Sequence, residues 1–285
     1  MADDIDRLRT ALRGTPLADL PIRAIPDGRL VMSRVSPQDY LTAWRAARAV
    51  LPVTGRRPVI VESDSSLLED EPWGTPDEDD GPGPAWIAGL DEAARTIDPW
   101  QARDTSWLDE VCDDEDLRFH VPDLPGVELR AEIRQDLAAP TIRSVNRYVY
   151  DRVRADPLLM DATESLADQV FSPHRWWRPR SVELMLVPRP EAHMVAAWTE
   201  FHSVLGMNDV LAAALWRWHR ACEAEMVACW ETMLLLTAGR RPAPGDEAWE
   251  LAVQLKGFAT NLEPNPWEIA LAVTRGDEWF LHDRP

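Results

Sequence analysis

Lysine is nearly missing from this chain: its 285 residues include one, Lys256, against 29 arginines. The plain reading is a GC-rich coding genome rather than selection for guanidinium chemistry. Cysteine is scarce too. Cys112, Cys222 and Cys229 are odd in number and widely placed, and they lack a CxxC spacing, which removes the disulfide framework and the usual zinc and redox motifs. The phosphate-cradling patterns GxxxxGK[ST] and GxGxxG do not occur, so ATP, GTP or NAD binding by glycine loops is not expected. Neither a GxSxG elbow nor HExxH is present, which takes away the usual serine-hydrolase and zinc-hydrolase readings. No run of about 18 apolar residues occurs, and the opening MADDIDRLRTALRG is acidic and helical in pattern with no apolar h-region. A cytoplasmic location is the expectation.

What the chain has in excess is carboxylate. Its 49 acids and 30 bases give a formal net charge of −19, which repels the polyanions, nucleic acid and anionic membrane, and suits a basic protein partner. The acidity is shared between the halves: residues 181–285 carry net −7 and residues 1–180 net −12. The length allows two domains.

Ile5, Leu8 and Leu12 recur at helical spacing, so a helix is expected over Asp3–Arg13, stopped at Gly14. A strand follows at Arg29–Ser33. Ser36 and Pro37 then read as cap and first-turn proline of a helix carrying Tyr40, Leu41, Trp44, Ala47 and Leu51. Thr54-Gly55 turns the chain into a strand at Pro58–Glu62. Nine carboxylates crowd residues 62–80, with Pro and Gly interrupting any periodicity, and this reads as a solvated acidic loop or a lure for a basic partner. Helices are expected over Ala85–Ile97, Asp104–Cys112, Thr141–Val153 and Thr163–Val170. The stretch SPHRWWRPR at 172–180 reads as a hinge, where Trp176 and Trp177 serve either an interdomain seam or a contact site.

From Ser181 onward the pattern is clearest. Val182–Val187 is the near-continuous apolar run of a strand covered on both faces. Asn208 reads as the cap of a helix with Val210, Leu211, Ala214, Leu215, Trp218 and Cys222 in one stripe. Strands at Met226–Trp230 and Met233–Thr237 meet through Glu231-Thr232, a close antiparallel junction that lacks the usual glycine. Asp246 reads as the cap of a second helix, and Glu278–Leu281 as a last strand. The fold class is therefore α+β. Residues 181–285 make an antiparallel or mixed sheet with helices on one face. Before them come a helix/strand region at 1–62, a loop at 63–84 and a mainly helical region at 85–180. Residues 38–62 faintly echo residues 209–231, as a diverged internal duplication would.

The runs VELMLVPRPEAHMVAAW and LWRWHRACEAEMVACWETMLLLTAGRRP, with the aromatic close EWFLHDRP, resemble the bacterial domain-of-unknown-function family 4253 (DUF4253), common in actinomycetes, over about the last hundred residues. AWRAARAVLPVTGRRPVIVE looks like the leader region seen upstream in that family. The resemblance implies no established activity, cofactor or catalytic residue. The chain departs from the family pattern at residues 199–208, 258–264 and 279–283.

His219 and Glu223 lie four apart on one helix, and His202, His282 and Asp283 could converge on them as a metal site or acid/base pair. A solvated helix pair explains the spacing equally well. Trp198, Trp216 and Trp279 either line a groove or fill the core. No catalytic residue, cofactor or metal is assigned. The leading reading is a non-enzymatic module that binds a basic protein, an immunity-like role being one form. The alternatives are an enzyme with a pocket in the C-terminal domain and a structural subunit of a larger assembly.

Overall fold

The computed structural model describes residues 2–25, 27–64, 68, 83–103, 105–172 and 178–283. Most of the acidic loop expected over 62–80 lies outside them. The described residues form an α+β fold with a mixed sheet. No helix among them is long and apolar enough to cross a membrane. The N-terminal segment holds α1 (Ala2–Ala11), β1 (Ile22–Ala24), β2 (Leu30–Val35), α2 (Tyr40–Ala49), α3 (Leu51–Thr54), β3 (Arg57–Glu62) and α4 (Pro84–Thr96). Then come α5 (Asp114–His120), α6 (Leu129–Asp136), α7 (Ile142–Ala155), α8 (Pro157–Ala162) and α9 (Glu164–Gln169). They are followed by β4 (Val182–Val187), α10 (Asn208–Cys222), β5 (Glu225–Cys229) and β6 (Met233–Thr237), and last by α11 (Asp246–Phe258), α12 (Pro266–Ala272) and β7 (Glu278–His282).

Two compact units share these elements, one containing Met1–Pro99 and Pro173–Ala238, the other Trp100–Ser172 and Gly239–Asp283. The division differs from the contiguous blocks expected from the sequence, because the partners of 181–285 are not local. In the first unit the strand order is β1-β2-β4-β3-β5-β6, and β4 is antiparallel to both β2 and β3. The apolar run at Val182–Val187 is thus an interior strand whose neighbours come from the N-terminal segment. The two helix-then-strand segments deliver β3 and β5 side by side in parallel. Trp44 of α2 donates its indole N–H to the Pro58 carbonyl at 3.0 Å.

Glu225 opens β5 and is buried. It accepts from Arg48 of α2 at 2.5 and 2.7 Å and from Arg57 of β3 at 2.7 Å. Arg57 also donates to the Pro190 carbonyl, at 2.8 Å from Nε. Burial pushes the Glu225 carboxyl up, but the two guanidiniums overcome it and hold it below its ordinary value. Burial pulls Arg57 down.

The junction between β5 and β6 shows why no glycine is needed: Glu231 itself takes the left-handed conformation, at φ 57°. That costs about 1–2 kcal/mol in an ordinary residue. The Glu231 carbonyl is held by the His202 N–H at 2.7 Å.

Several expected caps are displaced. Asn208 is the first helical residue, and its side chain donates to the Ala196 carbonyl at 2.7 Å instead of capping. Gly245, at φ 118°, precedes α11, which frees Asp246 to pair with Arg147 at 2.6 Å. Helix α2 starts after Asp39, not Ser36. The helix expected over 104–112 is only a 3₁₀ turn at Ser106–Asp109.

In the second unit α7 is the central helix, with Val145, Val149, Tyr150 and Val153 fully buried. It packs against α5, α6, α8 and α12. Tyr150 stacks on Trp249 of α11, and its hydroxyl accepts from the Gly245 N–H at 3.0 Å.

Glu225→Ala strands two arginines, one of them buried, and the expected cost is about 3 kcal/mol of unfolding free energy in urea at pH 7. Because the folded carboxyl titrates below its ordinary 4.5, this stabilisation is present above that value. It disappears as pH falls through the folded value, so the gap between wild type and variant should close in acid. A gap that persists unchanged at pH 3 argues against the ion cluster as its source.

Candidate functional site

Helix α5 begins in a cluster of carboxylates, Asp113, Asp114, Glu115 and Asp116. Asp113 caps the helix, accepting from the N–H groups of Glu115 at 2.7 Å and Asp116 at 3.0 Å, while Asp116 reaches back to the Asp113 N–H at 3.0 Å. Negative charge at this end also complements the helix dipole. One face of α5 turns inward with Leu117 and His120; the other presents Arg118 and Phe119.

The inward face is fixed by a neutral polar node. The His120 Nδ1 lies 2.7 Å from Asn265 Oδ1, and the Asn265 amide nitrogen donates to the Phe119 carbonyl at 3.3 Å. That orientation makes Nδ1 the protonated ring nitrogen. Asn146 of α7 donates to the Ile142 carbonyl at 2.8 Å with its nitrogen 3.3 Å from His120, and Trp267 of α12 donates to the His120 carbonyl at 3.1 Å. Burial lowers the His120 pKa, against the opposing pull of Asn265 and Asp116. The ring is therefore a neutral structural donor, not a base held near neutrality.

With its inner face tied at these points, α5 holds Phe119 outward. The ring is 69% exposed, the charged first turn lies one helical turn before it, and it stands edge-on to His120 at 5.0 Å. An aromatic this open on a rigid helix is an unusual surface feature.

The single lysine sits on α11. Lys256 Nζ donates to the Leu262 carbonyl and lies 5.7 Å from the Trp107 ring centroid. Burial lowers its pKa to about 8, even though Glu268 and Glu263 raise it. Burial likewise raises Glu268, whose carboxylate bonds the Asn265 N–H at 2.7 Å. Gly257 permits the approach of the segment before Trp107, since a Cβ there would stand 2.5 Å from Thr105 Cγ2.

The residues singled out from the sequence do not form a catalytic cluster within either unit. His219 Nδ1 lies 3.1 Å from the Ala224 carbonyl, whereas Glu223 is exposed just past the helix end in the left-handed conformation. His202 is exposed in a 3₁₀ turn. These three belong to the first unit, and His282 and Asp283 to the second. Asp283 accepts from Thr260 Oγ1 at 3.2 Å. Among the described residues no group of three or more His, Cys, Asp or Glu is placed to hold a metal ion. Trp198 and Trp279 are core residues, 2% and 0% exposed. Trp216 is half-buried under the Arg220 guanidinium at 4.8 Å. Trp176 and Trp177 lie outside the described residues. Sequence reasoning missed α5 and α12, though Asp113-x-x-Asp116 and Asn265-Pro266-x-Glu268 are both capping signatures.

No family model, curated protein or solved structure matches this chain.

Because Lys256 is the only lysine, reductive methylation labels it and the chain's α-amine alone, and the signal absent from Lys256→Arg is that of Lys256. After reductive ¹³C-methylation, the side-chain amine signal should titrate near 8, and in Gly257→Ala, which pushes the Thr105–Trp107 segment away, it should move toward 10.5. A wild-type midpoint already at 10.5 rules out the buried amine.

Proposed function

We propose that this chain is a cytoplasmic, non-enzymatic module that binds a basic protein partner through the outward face of α5. The observation that carries the reading is Phe119, an exposed aromatic on a helix whose first turn bears Asp113, Asp114, Glu115 and Asp116. A partner with an apolar pocket ringed by Lys or Arg complements both features. The aromatic supplies an anchor, and the carboxylates supply steering and register. The net charge of −19 adds long-range attraction for a basic partner and repels nucleic acid and anionic lipid. An immunity-like role, covering a basic effector, is its concrete form, and the resemblance to DUF4253 is kept as a proposed kinship that brings no activity with it.

The test is affinity capture from the source cell at about 0.05 M salt, followed by titration of the purified basic protein. Binding should weaken by about tenfold or more as salt rises to about 0.5 M, where screening is short-ranged. Phe119→Ala should cost about 1–2 kcal/mol of affinity. A partner bound equally well by Phe119→Ala sinks the α5 docking face, and an acidic or salt-insensitive partner sinks the electrostatic reading.

A further inference from the structure

Between the end of α5 and the start of α6 lies a polar cleft of about 250 Å³, within the second unit. Three arginines line it, Arg118, Arg130 and Arg134, together with Asp123 and Glu128. With Asp114, which pairs with Arg134, the three arginines meet three carboxylates, a local balance in a chain of net charge −19.

The three guanidiniums differ in how they are satisfied. Arg130 is fastened by Nη2 to the Val121 carbonyl at 3.1 Å and pairs through Nη1 with Asp123 at 2.9 Å, but its Nε is buried with no hydrogen-bond partner among the described residues. The unpaired Nε is closed off from solvent, so the groups Arg130 offers the cleft are its two Nη nitrogens. Arg134 pairs with Asp114 at 2.6 Å. Arg118 is exposed and close enough to Asp114 to act on it electrostatically. The carboxylates that engage Arg130 and Arg134 are 88% and 76% exposed. Pairs of that kind contribute little, so an anion with more charge and more acceptor oxygens can replace them without a large penalty.

We propose that this cleft is a binding site for a tetrahedral oxyanion carrying two negative charges, that is, phosphate, either free or as the terminal group of a small metabolite. Arg130 supplies the fixed donor, its Nη1 turning from the exposed Asp123 to the anion while Nη2 stays on the Val121 carbonyl. Arg118 supplies an exposed guanidinium, and Arg134 closes the third side once Asp114 swings away. The site shares Asp114 and Arg118 with the α5 docking face but does not use Phe119, so phosphate binding that survives Phe119→Ala separates the two ideas.

The experiment is a titration of the full chain with inorganic phosphate, and in a second arm with free phosphoserine, followed through the arginine side-chain Nε–H resonances at constant ionic strength. Saturable shifts of a small set of arginine resonances are expected, including one removed by Arg118→Gln and one removed by Arg130→Gln. Arg118→Gln, an exposed substitution, should weaken binding about tenfold with an unchanged circular dichroism spectrum. Tighter binding of phosphoserine than of phosphate assigns the site to a phosphorylated metabolite, and the reverse order to the free ion. Linear, non-saturating shifts overturn the proposal. So does equal affinity for acetate, or an affinity untouched by Arg118→Gln.

Discussion

Glu225 is the point where the sheet's non-local topology is written into side chains. Strands β3 and β5 come from segments more than 150 residues apart in the chain, and their parallel pairing is registered at Ile60 and Ala228. The carboxylate at the start of β5 accepts from α2 and from β3 together, so both partners of one helix-then-strand segment close on the first residue of the other segment's strand. Arg57 extends the link to the Pro190 carbonyl beyond β4. A buried ion pair of this kind is a poor source of net stability, since desolvating the charges offsets much of their attraction. What it supplies is selection. A slipped or mispaired β5 leaves a carboxylate and a guanidinium buried apart, whereas a slipped apolar strand only exchanges one oily contact for another.

The second unit solves the same problem without charge. His120 is held neutral by burial, and Asn265 and Trp267 bring α12 onto the end of α5 through hydrogen bonds that have defined donors and acceptors. Neutral pairs cost less to desolvate than ions, and they still fix orientation because the amide dipoles cannot be reversed without losing a bond. The consequence appears on the outside. An aromatic side chain in water is useful for recognition only when the backbone beneath it is rigid, and Phe119 stands beside the most tightly bonded residue of its helix.

Much of the fold was legible in the sequence. Val182–Val187 appears as a strand with its expected bounds and is covered on both faces, and the hairpin through Glu231-Thr232 forms where two apolar runs nearly touch. Those features are local in their cause. The grouping of residues 181–285 was not legible, because β4, α10, β5 and β6 find partners in the N-terminal segment while α11 and α12 pack in the other unit, and hydrophobic periodicity says nothing about which distant face an element will meet. The candidate site was hidden for a related reason. Attention to histidine spacing favoured His219 and Glu223, yet the helix ends at Cys222, Glu223 itself is left-handed, and the carbonyl of Ala224 beyond it takes the His219 ring. His120, solitary in the first half of the chain, gave no pattern at all; its importance comes from Asn265, which only folding brings near.

The single lysine fits the same physical scheme. Twenty-nine other cationic side chains are arginine, which stays charged and forks onto carboxylates, as at Glu225 and Asp109. Position 256 is a poor place for such a group. Its terminal nitrogen meets a carbonyl and the face of Trp107, with Glu263 and Glu268 near enough to act electrostatically yet forming no salt bridge with it. A guanidinium there would bring five donors to one carbonyl and could not shed its proton. An ammonium needs fewer acceptors, and as burial depresses its pKa to about 8 it can exist partly as the neutral amine at physiological pH.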